Sequence, residues 1–99
     1  MVVLHNQEQH RFEIDLGGST AIAAYNPLSH AIMFTHTEVP PEHEGQGIGT
    51  MLIEAGLAYA REEGLMVIPV CQFFAAYMKR HADVHDLLDG DQRRILHIA

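Results

Sequence analysis

The chain has 99 residues, 47% hydrophobic and 19% charged, the make-up of one globular domain spanning residues 1–99 with space for a single main site. Its formal net charge of −7 argues against a nucleic-acid partner, since phosphate contacts need clustered Lys and Arg. No apolar run nears the roughly 20 residues of a membrane span, the first residues lack a signal-peptide pattern, and the lone cysteine allows no internal disulfide; the expectation is a cytoplasmic protein with no membrane contact.

Residues 2–6 and 10–16 read as a first hairpin, because Arg11-Phe12-Glu13-Ile14-Asp15-Leu16 alternates polar with apolar. Gly17-Gly18 is a two-residue turn signal. Ser19 to Tyr25 is the next strand, and residues 26–29 form another turn around Pro27. His30 to Val39 is a fourth, central strand, rich in β-branched and aromatic residues. Strict alternation puts Ile32, Phe34, His36 and Glu38 on one face and Met33, Thr35, Thr37 and Val39 on the other. Pro40-Pro41 stops this strand.

A glycine-rich turn follows, with Gly45, Gly47 and Gly49 alternating ahead of a helix from about Gln46 to Glu63. Glycines let a ligand approach the backbone closely, and a helix start offers unpaired N–H groups and a positive dipole end. Chemically this is a phosphate or pyrophosphate cradle. Neither Gly-Lys-Ser/Thr nor Gly-x-Gly-x-x-Gly is present, so the two commonest nucleotide-loop readings lose support. The alternative is a turn that binds nothing.

Ile48, Leu52, Ile53, Leu57 and Ala60 give that helix an apolar stripe for the sheet, and Gly64 ends it. Leu65 to Val70 is a buried fifth strand, and a strand–helix–strand unit implies parallel pairing or a splay between strands four and five. Cys71 stands at the strand-to-helix junction before a second helix, Gln72 to His81, with Phe73, Phe74, Tyr77 and Met78 as its apolar residues. Residues 84–88 form a short terminal turn of helix. The tail, 91–99, is open between a last strand, an ordered extension and a dimer contact. Eight histidines are scattered. His81 and His85 share an i, i+4 spacing, but one cysteine and no His-Glu-x-x-His pattern leave no metal site expected.

Together, the order of elements and the loop Glu44-Gly45-Gln46-Gly47-Ile48-Gly49 resemble the GNAT acetyltransferase superfamily, whose acetyl-CoA loop is written Gln/Arg-x-x-Gly-x-Gly/Ala. The likeness extends to its short single-domain members through His36-Thr37-Glu38-Val39-Pro40, Pro69-Val70-Cys71, and the stretch Phe73, Phe74, Tyr77 and His81. It covers roughly residues 2–90. It implies a mixed α+β fold: a central mixed sheet, splayed between strands four and five and flanked by helices. It also implies acetyl-CoA as co-substrate, its pyrophosphate on the amides of Glu44, Gly45, Gln46, Gly47, Ile48, Gly49 and Thr50. The pantetheine arm would lie along Thr37 to Val39, with Phe74 beside the cofactor and a primary amine as acceptor. Two departures stand out. Glu44 replaces the loop's Gln or Arg, placing a carboxylate near a pyrophosphate at a cost on the order of 1 kcal/mol for charges about 4 Å apart in water. Residues 30–35 hold no acid to act as base.

Four residues are therefore candidates for the chemistry. Cys71, at a helix N-terminus, suits a nucleophile or an acid for the departing thiolate, or a small buried hydrophobe. His36 suits a general base or a core histidine. Glu38 could act as base, orient His36, or end the strand in solvent. Tyr77 could donate a proton to the leaving thiolate or simply pack. The expected function is acetyl transfer to an amine by a monomer or weak homodimer. The alternatives are a non-catalytic acyl-CoA-binding or regulatory module of the same fold, and a structural interaction domain.

Overall fold

A computed structural model describes all 99 residues. Four strands, β1 (Leu4–Asn6), β2 (Arg11–Asp15), β3 (Thr20–Pro27) and β4 (Ala31–Glu38), form an antiparallel meander. The helix α1 (Ile48–Glu63) then crosses over, and β5 (Met66–Pro69) pairs parallel to β4, giving the sheet order β1-β2-β3-β4-β5. The chain continues through α2 (Gln72–Arg80), a 3₁₀ turn over Ala82–Leu87, and α3 (Gly90–Ile95).

Period-2 and period-3.6 patterns account for this layering. Phe12 and Ile14 of β2, Ala21, Ala23 and Tyr25 of β3, Ile32 and Phe34 of β4, and Val67 of β5 are all buried on one face of the sheet. The stripe Ile48, Leu52, Ile53, Leu57 and Ala60 of α1 is buried against them, as its spacing requires. From α2 come Phe74 and Met78. Phe34 and Phe74 stack with ring centroids 4.0 Å apart. That stack lies directly over Gly56 of α1, where an added Cβ would stand 2.8 Å from Phe34 Cε1 and 2.9 Å from Cζ. Only glycine lets α1 come this close to the aromatic pair.

Two expectations are corrected, and two points left open by the sequence are resolved. First, β4 does not alternate strictly. Tyr25 pairs with Phe34 and Ala24 with His36, which leaves Thr35 unmatched as the extra residue of a β-bulge. Cross-strand partners share a face. Thr37 therefore follows buried Ala23 onto the helix-covered side, while His36 and Glu38 follow Ala24 and Ile22 onto the opposite side. Second, α1 begins at Ile48 rather than Gln46, because Gly45 and Gly47 take positive φ values of 81° and 80°, outside the helical range. Third, the tail forms α3 rather than a strand. Asp89 caps it by accepting from the Gln92 N–H at 2.9 Å, Asp91 lies in its first turn, and Arg93 and Arg94 lie in its last. Fourth, His81 and His85 do not share a helix. α2 ends at Arg80, and each ring donates to a backbone carbonyl, His81 Nδ1 to Tyr77 at 2.6 Å and His85 Nε2 to Met78 at 2.7 Å.

Candidate active site

The pairing of β4 with β5 stops at Phe34 opposite Pro69, where proline ends the ladder. The Cys71 N–H makes a last link to the Phe34 carbonyl at 2.8 Å, and α2 then leads the chain away. β4 runs on to Glu38, paired only with β3, so its other edge is left without a strand partner beyond the bulge. Into this gap opens a cleft of about 780 Å³. Its walls are the end of β4 (Thr37, Glu38, Val39), the turn and first residues of α1 (Glu44, Gly45, Gly47, Ile48, Gly49, Thr50), and one side of α2.

The α2 wall consists of Phe73, Ala76, Tyr77 and Arg80, an i, i+3, i+4, i+7 set that forms one helical face. Phe74 and Met78 face the other way, into the core. The helix thus has a core side and a cleft side. Phe74, expected beside a cofactor, is fully buried in its stack with Phe34 and has no surface to offer a ligand. The aromatic residue at the cleft is its neighbour Phe73, 61% exposed. Arg80 also escaped the sequence reading, although its spacing from Phe73 and Tyr77 was there to find it.

Tyr77 donates from its hydroxyl to Glu54 Oε2 of α1 at 3.1 Å, and its ring stacks on His81 at 3.8 Å. Partial burial, then the Glu54 carboxylate, raise its pKa above the ordinary tyrosine value, so the phenol keeps its proton at neutral pH. Cys71 lies at the start of α2, buried, with its Sγ 3.2 Å from Thr37 Oγ1. The bulge makes this contact possible by turning Thr37 towards the helices. Thr37 lines the cleft and Cys71 stands behind it.

His36 and Glu38 form a pair 2.9 Å apart, with both side chains more than half exposed. Glu38 reaches the rim of the cleft; His36 is not among the lining residues. Gln46 is also outside the lining, its Oε1 accepting from His43 Nδ1 at 3.2 Å. The structure therefore gathers Thr37, Glu38, Val39, Tyr77 and most of the glycine turn around one cleft, and sets Cys71, His36, Gln46 and Phe74 outside its walls.

The loop glycines have separate causes. Gly45 and Gly47 need their left-handed backbone, which costs other residues roughly 1–2 kcal/mol. Gly49 is helical, and a Cβ there would meet only Val39 Cγ2 at 3.8 Å, an ordinary contact. Nothing in the protein itself requires a glycine at position 49.

The family of GCN5-related N-acetyl-transferases matches residues 11–87. Among solved structures, the NMR solution structure of a GCN5-like candidate N-acetyltransferase from Staphylococcus aureus is similar in fold. It is 27% identical with a TM-score of 0.70, the match covering 90% of this chain and 88% of that one. No curated protein matches the chain.

Proposed function

Because this chain belongs to the GCN5-related N-acetyltransferase family, we propose that its cleft binds acetyl-CoA and passes the acetyl group to a primary amine. One observation carries the proposal: the glycine turn before α1, the unpaired edge of β4 and Tyr77 all border the same cleft. Gly49 supports it independently. A helical glycine costs up to about 1 kcal/mol against alanine, and its reason is sought in a ligand that must reach the backbone.

In this reading the amides of residues 45–50 hold the pyrophosphate, and the free edge of β4 from Thr37 to Val39 pairs with the pantetheine amides. Glu38, on the rim and 2.9 Å from His36, takes the proton from the acceptor ammonium. The freed amine nitrogen bonds to the thioester carbon, its second proton passes to solvent, and the C–S bond breaks. Tyr77, still protonated, gives its proton to the departing thiolate and recovers one from solvent. Cys71 is buried behind Thr37 and outside the cleft walls, which favours direct transfer over an acetyl-cysteine.

The test is a thermal-shift titration with CoA, followed by intact-mass analysis with acetyl-CoA and a thiol-release assay over a panel of amines. The expected result is stabilisation by CoA, no acetyl adduct on Cys71, and CoA release that depends on an amine. An adduct on Cys71 would overturn direct transfer, and no stabilisation at millimolar CoA would overturn the cofactor assignment.

A second reading keeps CoA binding without turnover. It is favoured by the short connection between β1 and β2, residues 7–10, which adds no helix to shape an acceptor site. Binding of CoA with no release by any amine would select it.

A further inference from the structure

The cleft is lined by two carboxylates, Glu38 and Glu44, in a chain with a formal net charge of −7. An anionic ligand would be repelled there unless a cation offset them. The chain has only six Lys and Arg, and four are already engaged. Arg11 is paired with Glu13, Arg61 with Asp86, and Arg94 with Asp91. Arg93 is bound to the carbonyls of His85 and Leu88. Lys79 and Arg80 remain without an ionic partner. Of these two, Arg80 alone lines the cleft.

We propose that Arg80 is a specificity-determining residue of this cleft, holding a phosphate group of the acyl donor and offsetting Glu44 in the loop. The inference rests on the acyl-CoA reading of the cleft. Its physical basis is the α2 face. Phe73, Ala76, Tyr77 and Arg80 form one continuous wall, so a donor lying along it passes Tyr77 and Arg80 in turn. The guanidinium is a fixed, always charged donor fork whose geometry matches phosphate oxygens. Both cations also complement the C-terminal end of the α2 dipole. That effect is common to Lys79 and Arg80, so it does not account for the one that faces the cleft.

The test measures CoA affinity at low and high salt for the wild type, Arg80→Gln, Arg80→Lys and Lys79→Gln. Arg80 is exposed, so its variants are expected to fold, and circular dichroism checks this. At low salt Arg80→Gln is expected to weaken CoA about tenfold, the size of one charge-assisted hydrogen bond. Its affinity should also depend less steeply on salt than that of the wild type. Arg80→Lys should restore the salt dependence and part of the affinity, while Lys79→Gln should behave like the wild type. Equal losses in Arg80→Gln and Lys79→Gln, or a loss that ignores salt, overturn the assignment of Arg80 and leave CoA binding standing. Absence of CoA binding by the wild type overturns the acyl-CoA reading and this inference together.

Discussion

Tyr77 shows how one side chain can be both packed and poised. Its ring is held by His81 and its hydroxyl by Glu54, and the residue lines the cleft. Its raised pKa keeps the phenol protonated at neutral pH, so a proton is in place there to be given up. Tyr77→Phe keeps the ring and removes the proton. It is expected to lower kcat about 10²-fold while CoA still stabilises the protein to the wild-type extent. Steady-state thiol release beside a thermal-shift titration checks both halves, and an unchanged kcat would reduce Tyr77 to a packing residue.

Among the elements, the turn before α1 separates glycines that the fold needs from one it does not. At Gly45 and Gly47 an alanine would be strained by the positive φ. At Gly49 it would enter a regular helix beside Val39 at ordinary contact distance. Gly49→Ala is therefore expected to raise the stability of the free protein by up to about 1 kcal/mol, a rise of several degrees in Tm for a domain of this size. The same change should weaken CoA by narrowing the approach to the backbone. Opposite signs in the melt and the titration support a ligand-facing loop. A stabilised variant that binds CoA unchanged would return Gly49 to an accident of the turn. The bulge at Thr35 belongs to this scale as well: a single extra residue sends Thr37 to Cys71 and sends His36 with Glu38 to the far side of the sheet.

For the molecule as a whole, three groups make stability fall on the acid side, in two stages. His5 is stacked on Phe12 at 4.1 Å and shares a hydrogen bond of 2.6 Å with the Tyr25 hydroxyl, and its partial burial lowers its pKa from the ordinary 6.5. The unfolded chain therefore takes up a proton first. Stability drops as pH falls below about 6.5 and levels off once the folded histidine is also charged. Glu13, held by hydrogen bonds from Arg11 and Asn6, and Asp86, held by Arg61, have lowered pKa values as well. Their contribution is complete above the ordinary carboxylate range and is lost only as pH falls through their folded values. His5→Gln is expected to flatten the first stage and leave the second. Urea melts between pH 7 and 3 check this, and an unchanged slope below pH 6.5 would assign the first stage to other histidines.

Much of this protein could be read from its sequence because local chemistry decides it. Alternation set the strands, the apolar stripe set the buried face of α1, prolines ended β4 and β5, and the glycine turn with its flanking residues pointed to the family that the comparison over residues 11–87 establishes. What escaped depends on which surfaces meet. A bulge is defined by a partner strand, so the faces of His36 and Thr37 could not follow from their own spacing. The α2 sequence offers two amphipathic faces, and only the Phe34 ring over Gly56 selects Phe74 for the core and turns Phe73, Tyr77 and Arg80 to the cleft. Periodicity fixes which residues share a side, and packing against a neighbour decides what that side meets.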